Sequence, residues 1–204
     1  MRLKKGILIV LEGIDGSGKS TQAKMLLESL RAGDIAAACF REPSKSKWGR
    51  EIKRKAQLRD SLSPDQELDL FIKDRRENVR KNLRPALKEK KVVVLDRYYY
   101  STIAYQGAKG ISQARIRRLN EAFAVRPDLV FILDVRADEG LRRIKGRKKK
   151  DRLFEREEYL VKVRKIFRGF KGKNIVHLRG RDSIETIHKK IMLRVLRYLK
   201  NRES

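Results

Sequence analysis

Short apolar runs alternate along this chain with longer stretches in which apolar residues recur at the helical period of three or four positions. Five of the runs have the length of a strand and are almost entirely apolar, which is typical of parallel strands covered by helices on both faces. They occupy residues 7–11, 35–40, 92–95, 129–135 and 175–178. This pattern predicts an α/β fold with a parallel sheet of about five strands flanked by helices.

Capping residues mark several helix ends. Gly33 follows the first helical stretch and is a candidate C-cap. Ser63, with Pro64 next and Gln66 three residues on, has the pattern of a capping box with proline at the first helical position. The helix that begins there is predicted to run to about residue 90, with a kink at Pro85. The last helix has an apolar stripe opposite a basic face, made of Ile184, Ile187, Ile191, Val195 and Leu199.

The length of the chain and the absence of a repeat predict a single domain over residues 1–204. No run approaches about 18 apolar residues, and residues 1–6 leave no room for a signal peptide, so neither a membrane span nor secretion is expected. The single cysteine, Cys39, lies in an apolar run and is expected to be a small core residue in a reducing cytoplasm. His177 and His188 lack metal-ligand spacing and receive no catalytic role.

The chain is strongly basic, with 53 Lys and Arg against 26 Asp and Glu and a net charge of +27. Such an excess favours binding to nucleic acids. However, the basic residues are spread over many predicted helices, and a phosphate-handling site or a heat-adapted surface would also be basic. No RNA-binding or zinc-finger signature accompanies them. We therefore expect only non-specific affinity for nucleic acids.

A phosphate-binding motif follows the first predicted strand. Residues 7–21, ILIVLEGIDGSGKST, contain the spacing G-x-x-x-x-G-K-[ST] of a P-loop between a strand and a helix. The glycines let consecutive N–H groups face an anion, and the helix N-terminus adds partial positive charge. The predicted nucleoside triphosphate site comprises Gly13, Ile14, Asp15, Gly16, Ser17, Gly18, Lys19, Ser20 and Thr21.

Four side chains define the chemistry expected around this loop. Lys19 is expected to be solvated in the empty protein and to reach the β- and γ-phosphates of the triphosphate. The Ser20 hydroxyl is expected to hold Mg²⁺, together with Asp96 at the end of the third strand, acting through water. Arg97 suits a second phosphate beside the first, which indicates a phosphorylated acceptor and hence a nucleotide kinase. The chain lacks the NKxD-type motif of GTPases and the acidic Walker-B pair usual in motor ATPases.

Residues 92–108, VVVLDRYYYSTIAYQGA, resemble the signature segment of thymidylate kinases. Other landmarks of that family occur in order: the P-loop, FREP at 40–43, LFIKDR at 70–75, RPDL at 126–129, and GRKKKDR at 146–152 as a lid. The resemblance implies a P-loop NTPase-type fold with a short lid at about 145–153. It also implies Mg²⁺-dependent transfer of a phosphoryl group from ATP to dTMP, and a homodimer.

The resemblance implies roles for individual residues of the acceptor site. Arg41 and Arg97 would bind the acceptor monophosphate, which suits the planar fork of guanidinium. Phe71 would stack on thymine. The remaining residues assigned to the acceptor are Arg75 and Gln106 at the base edge, Tyr105 at the 2′ position, Asp15 at the 3′-hydroxyl, and Ser101.

The lid is expected to supply a catalytic arginine, because position 16 is Gly where some family members have arginine. Arg143, Arg147 and Arg152 are the candidates, with Arg152 favoured because Asp151 precedes it. The predicted catalytic residues are Lys19, Arg97, Arg147 and Arg152.

Two departures from the family pattern leave the acceptor open. Lys73 stands where a small residue is common, and SKSKW at 44–48 replaces a Gly-Gly-Thr-type stretch. Both lie on segments expected to face the acceptor. The alternatives are a kinase for another deoxynucleoside monophosphate and, from a different class, a basic P-loop protein that binds nucleic acid.

Overall fold

A computed structural model describes residues 3–58, 62–144 and 151–200, without the side chains of 57, 58 and 151–156. Its centre is a five-stranded sheet in the order β2-β3-β1-β4-β5, in which every adjacent pair is parallel. The predicted parallel α/β sheet is therefore confirmed. The strands are β1 (Ile7–Glu12), β2 (Ala37–Arg41), β3 (Val92–Asp96), β4 (Leu129–Asp134) and β5 (Ile175–Arg179).

Helices cover both faces of the sheet because alternate residues of each strand point to opposite sides. One core packs β1, β3 and β4 against α1 and α9, and the other packs the same strands against the remaining helices except α2. The helices are α1 (Lys19–Ala32), α2 (Lys47–Leu58), α3 (Pro64–Asn78), α4 (Arg84–Lys88), α5 (Tyr99–Ala108), α6 (Gln113–Glu121), α7 (Ala137–Arg143), α8 (Asp151–Gly169) and α9 (Ile184–Lys200). Within the described ranges, no helix combines the length and apolar character needed to cross a membrane.

The predicted helix ends are confirmed, and a π-helical turn precedes the proline at which a kink is predicted. Ser63 and Gln66 make the reciprocal capping box at the start of α3, at 2.9 and 3.2 Å. At the end of α1, the Gly33 N–H donates to the Ser29 carbonyl at 3.2 Å. Before Pro85, the residues Val79–Leu83 form a π-helical turn. Proline has no N–H, so it cannot donate the hydrogen bond to the preceding turn. The wider π-helical turn accommodates this missing hydrogen bond, and the chain continues as a helix from α3 into α4.

Two single-residue expectations differ from the structure. Ile184 belongs to the predicted apolar stripe of the last helix, but it is 51% exposed, unlike the other four members of the stripe, which are buried. It lines an open cleft at the end of the sheet. Cys39 is half-buried and packs at the margin of the core beneath α1 and α9.

The C-terminal edge of the sheet brings together the ends of three neighbouring strands. Asp96 of β3 lies in register with Leu11 of β1 and with Arg41 of β2. The segments that follow these strands therefore start side by side, as expected for ligand-binding loops in an open parallel sheet.

Candidate nucleotide-binding site

The P-loop adopts backbone angles that favour glycine, and α7 packs directly on it. Gly13, Gly16 and Gly18 have φ angles of 139°, 76° and 93°. A Cβ at position 16 would lie 2.1 Å from the carbonyl oxygen of Gly140 in α7. Position 16 of this chain thus excludes an arginine, because the two backbones are in contact there.

Lys19 is buried rather than solvated, which corrects the expectation from the sequence. The residue is 5% exposed, and its ammonium donates to the Ile14 carbonyl at 2.7 Å and to Ser17 Oγ at 3.2 Å. Burial, reinforced by the nearby Arg97 charge, lowers the pKa of the Lys19 ammonium to about 7. An anionic phosphate beside the ammonium would act in the opposite direction and favour its charged form.

Ser20 and Asp96, the two residues predicted to hold Mg²⁺, lie in direct contact. The Ser20 hydroxyl donates to Asp96 Oδ2 at 2.5 Å, and Arg41 Nε lies 3.6 Å from the same oxygen. Asp96 Oδ1 is buried without a hydrogen-bond partner in the described part of the protein. Mg²⁺ commonly takes one or two protein oxygens and completes its shell with phosphates and water. These two side chains fit such a site.

A cleft of about 540 Å³ lies over the P-loop. On its wall, the Arg143 guanidinium donates to the Gly180 carbonyl at 3.0 Å and to Glu139 at 2.5 Å. Arg147 lies outside the described residues, and Arg152 is described only as backbone in α8. Of the three candidate arginines, Arg143 is therefore the one whose side chain the structure describes. The cleft is lined by the P-loop from Asp15 to Gln22, Arg41, Arg97, Leu133, Arg143, Ile144, Gly180, Asp182, Ile184 and Ile187.

A second cleft, of about 410 Å³, adjoins the first. Asp15, Arg41 and Arg97 line both clefts. All the residues that the resemblance assigned to the acceptor line the second cleft, namely Asp15, Arg41, Phe71, Arg75, Arg97, Ser101, Tyr105 and Gln106. It also contains residues that the sequence reasoning missed, among them Lys53, Glu67, Thr102, Lys109 and Tyr159.

Arg97 links the two clefts through contacts with three side chains. Its Nη2 donates to Asp15 Oδ1 at 2.5 Å and its Nη1 to Ser101 Oγ at 3.2 Å. The guanidinium lies 5.3 Å from the centre of the Tyr105 ring. The Tyr105 hydroxyl in turn accepts the Asp15 N–H at 3.0 Å. The P-loop and the start of α5 are therefore joined at the point where the clefts meet.

The Glu12 carboxylate accepts three hydrogen bonds from residues at the start of α5. It is fully buried and accepts the N–H groups of Tyr98 and Ser101 at 2.7 and 3.1 Å, and the Ser101 hydroxyl at 2.5 Å. Burial raises the pKa of the Glu12 carboxyl to about 7, against the lowering effect of the Ser101 hydrogen bond and the Arg97 charge. The sequence indicates this role only by an acidic residue directly after an apolar run, and Glu12 was not among the predicted site residues.

Arg75 lies at the bottom of the second cleft in a buried polar network. It is 1% exposed and donates to Glu42 at 2.8 Å, Thr102 at 3.0 Å and Asn120 at 2.5 Å. Burial raises the pKa of the Glu42 carboxyl, and the Arg75 charge opposes this shift. Most of the five N–H groups of this guanidinium therefore have protein partners, which fixes its position. Asn120 comes from α6 and was not identified from the sequence.

The two departures from the family pattern contact each other outside the cleft. Ser44 and Ser46 donate to the Asp74 carboxylate at 2.5 and 2.7 Å. Lys73 pairs with Asp69 at 2.6 Å and lies 5.1 Å from the Trp48 ring. Neither Lys73 nor residues 44–48 line the second cleft. The two segments do line the cleft through Arg41, Glu42, Pro43, Phe71 and Arg75, but the departing residues themselves do not.

The contact between Gly16 and α7 generates a prediction. Gly16→Ala combines a positive φ with a Cβ in the space of the Gly140 oxygen, so the P-loop or α7 must shift. We expect a loss of about 1–3 kcal/mol in the free energy of unfolding, measured by denaturant titration. We also expect weaker ATP binding, measured by calorimetry.

Gly33→Ala is the matched control for this prediction. Position 33 has a φ of −92°, and a Cβ there would lie 3.6 Å from its nearest neighbours. This variant should stay within about 0.5 kcal/mol of the wild type, like other substitutions away from special backbone sites. A Gly16→Ala protein that matched Gly33→Ala in both measurements would contradict the packing argument.

Comparison with known proteins gives a consistent result. The family model described as thymidylate kinase matches residues 11–191. A probable thymidylate kinase from Archaeoglobus fulgidus is 45% identical over 161 residues, covering 79% of this chain and 80% of that protein. The thymidylate kinase of Desulfotalea psychrophila is 39% identical over 198 residues, covering 96% of each chain. The crystal structure of thymidylate kinase from Ehrlichia chaffeensis superposes with a TM-score of 0.76 at 30% identity, covering 93% of this chain and 98% of that one. The chain therefore belongs to the thymidylate kinase family of nucleoside monophosphate kinases.

Proposed function

We propose that this chain transfers the γ-phosphoryl group of ATP to dTMP, giving ADP and dTDP, with Mg²⁺ as cofactor. The observation that carries the proposal is the junction of the two clefts at Asp15, Arg41 and Arg97. Two phosphates bound in these clefts would meet between the two guanidinium groups. Catalysis of phosphoryl transfer consists mainly of aligning the reactants and neutralising the charge of the phosphates. This junction is suited to both.

In the donor cleft, residues 13–21 would bind the ATP phosphates through backbone N–H groups. The Lys19 ammonium, released from the Ile14 carbonyl, would stabilise the charge on the transferred phosphoryl group. Ser20 and Asp96 would hold Mg²⁺, which when bound neutralises the β- and γ-phosphate oxygens. The buried, unpartnered Asp96 Oδ1 supports this assignment.

In the acceptor cleft, Arg41 and Arg97 would bind the monophosphate. Phe71 would stack on thymine, and Arg75 and Gln106 would contact the polar edge of the base. The Tyr105 hydroxyl accepts the Asp15 N–H, which holds the ring near the junction of the clefts. There it would contact the acceptor sugar and disfavour a 2′-hydroxyl. Asp15 would reach the 3′-hydroxyl, and Ser101 would support Arg97.

The alternatives are less consistent with these observations. The departures at Lys73 and at 44–48 do not line the acceptor cleft, so they give no reason to prefer another deoxynucleotide. A nucleic-acid-binding P-loop protein has no need for Arg97, Tyr105 and Gln106 around a second cleft beside the P-loop. We propose only salt-sensitive, non-specific affinity for nucleic acids from the net charge of +27, and filter retention across a salt series tests it.

The proposal extends to the organisation of the protein. It comprises one kinase domain over residues 1–204 with its lid at about 145–153, a cytoplasmic location, and a homodimer. The dimer is supported by the family resemblance. Sedimentation equilibrium tests it, since a monomer mass across the accessible concentrations would contradict it.

The activity assay is the direct test of the proposed function. ATP-dependent ADP release should be fastest with dTMP among dTMP, dUMP, dCMP, dGMP, dAMP and UMP. Lys19→Met should lower kcat by about 10²-fold or more, because an ammonium that stabilises the transition state is lost.

Lys24→Met provides the control, since Lys24 lies on the same helix with its side chain 77% exposed. It should keep the wild-type rate. Because Lys19 is buried, thermal unfolding of Lys19→Met should be recorded alongside the kinetics. A folded Lys19→Met enzyme with more than half of the wild-type rate would contradict the role of the P-loop.

The lid arginines are proposed to act in the transition state, with Arg147 and Arg152 as the candidates. Arg152→Ala should lower kcat by about 10²-fold with little change in KM for dTMP, as for an interaction made only in the transition state. Arg143→Ala is the comparison, because Arg143 is held on the donor cleft by Glu139 and Gly180. We expect it to change mainly the KM for ATP. A loss confined to KM in Arg152→Ala would assign Arg152 to substrate binding instead.

A further inference from the structure

A polar cluster lies at one end of the acceptor cleft, outside the phosphate junction. It consists of Gln106, Glu67 and Lys109, all of which line the cleft. Gln106 Nε2 donates to Glu67 Oε2 at 2.7 Å, and Lys109 Nζ donates to the same oxygen. Gln106 is 1% exposed, and its Oε1 is buried without a partner in the described part of the protein. The cluster therefore contains one buried acceptor that the protein itself leaves unsatisfied.

The carboxylate of Glu67 determines which way the Gln106 amide is turned. A glutamine amide has a donor side and an acceptor side of nearly equal shape, and the network around it decides between its two orientations. An ionised carboxylate only accepts hydrogen bonds, so it holds the NH₂ group of Gln106. The Oε1 atom is then turned away from Glu67 and is left without a partner, so a bound base that reached it would satisfy it.

We propose that Glu67 is a positioning residue that sets the base selectivity of the cleft by holding Gln106 in this orientation. The inference rests on the proposed function, in which Gln106 contacts the base. Thymine and uracil carry a hydrogen on N3, which Gln106 Oε1 would accept. Cytosine has a lone pair at N3, so two acceptors would face each other and the buried oxygen would stay unpaired. Such a mismatch discriminates strongly because the polar groups of the site are left unsatisfied.

Lys109 gives this mechanism a distinctive consequence. Its ammonium and the Gln106 amide share one oxygen of Glu67, so the two donors lie side by side. If the carboxylate is removed, the remaining neighbour is an ammonium, which only donates. Gln106 would then turn its Oε1 towards Lys109 and present its NH₂ group to the base, and this orientation suits cytosine.

Glu67→Met tests the proposal, with kcat/KM measured for dTMP, dUMP and dCMP. The ratio of dTMP to dCMP should fall by about tenfold or more, since one hydrogen bond is lost for one base and gained for the other. The ratio of dTMP to dUMP should stay unchanged, because both bases present the same N3–H. A residue with a merely structural role would not separate these two ratios.

Two comparison variants complete the experiment. Lys109→Met keeps the carboxylate and should keep the ratio of dTMP to dCMP. Asp69→Asn removes a carboxylate from the same helix, where Asp69 pairs with Lys73 outside the cleft, and should match the wild type with all three substrates. If Glu67→Met does not fold, the double variant Glu67→Gln with Lys109→Met replaces it. In that variant a neutral amide faces Gln106 and no ammonium orients it, so Gln106 can adopt either orientation. The ratio of dTMP to dCMP should then fall towards one, by less than in Glu67→Met.

An unchanged ratio of dTMP to dCMP in the folded test variant would overturn the role of Glu67. So would an equal change in the ratio of dTMP to dUMP, which would indicate general damage to the cleft. A wild-type protein that phosphorylated neither dTMP nor dUMP would overturn the proposed function itself, and this outcome is distinguishable because it needs no variant.

Discussion

The ion pair between Arg97 and Asp15 is the interaction on which the arrangement of both clefts depends. It joins the segment after β3 to the P-loop at 2.5 Å. Arg97 has a φ of 72°, an unusual value for a residue with a side chain. Such a conformation persists when the surroundings over-determine it, and here Ser101, Tyr105 and the underlying Glu12 do so. The site is thus positioned by contacts within the protein itself.

The same side chains stabilise the fold and shape the acceptor cleft. Arg75 lines the cleft and also balances the fully buried carboxylate of Glu42. Removing one partner of such a pair leaves an uncompensated buried charge, which typically costs about 3–5 kcal/mol. A substitution at Arg75 would therefore lower stability as well as activity. A measurement of activity alone would not separate its structural role from its role in the cleft.

Much of the fold and part of the site could be predicted from the sequence, because local patterns carry them. The apolar runs located all five strands, and Ser63 with Gln66 located the start of α3. What the sequence did not indicate arises from contacts between distant segments. The exclusion of a side chain at Gly16 comes from α7, far along the chain. The burial of Lys19 is the exception, because its ammonium turns back within the P-loop to the Ile14 carbonyl. Glu67 and Gln106 are 39 positions apart, and only the packing of α3 beside α5 brings them together.

In the proposed reaction, donor and acceptor bind simultaneously and their phosphates meet at Arg97. The most direct measurement is calorimetric binding of a bisubstrate compound, adenosine and thymidine joined 5′ to 5′ through five phosphates. We expect one molecule to bind per chain. Its affinity should be at least about 10²-fold above that of ATP or dTMP alone, because the second contact becomes intramolecular, and Arg97→Met should lose this gain. A bisubstrate compound that bound no more tightly than ATP, or that left dTMP binding undisturbed, would contradict simultaneous binding.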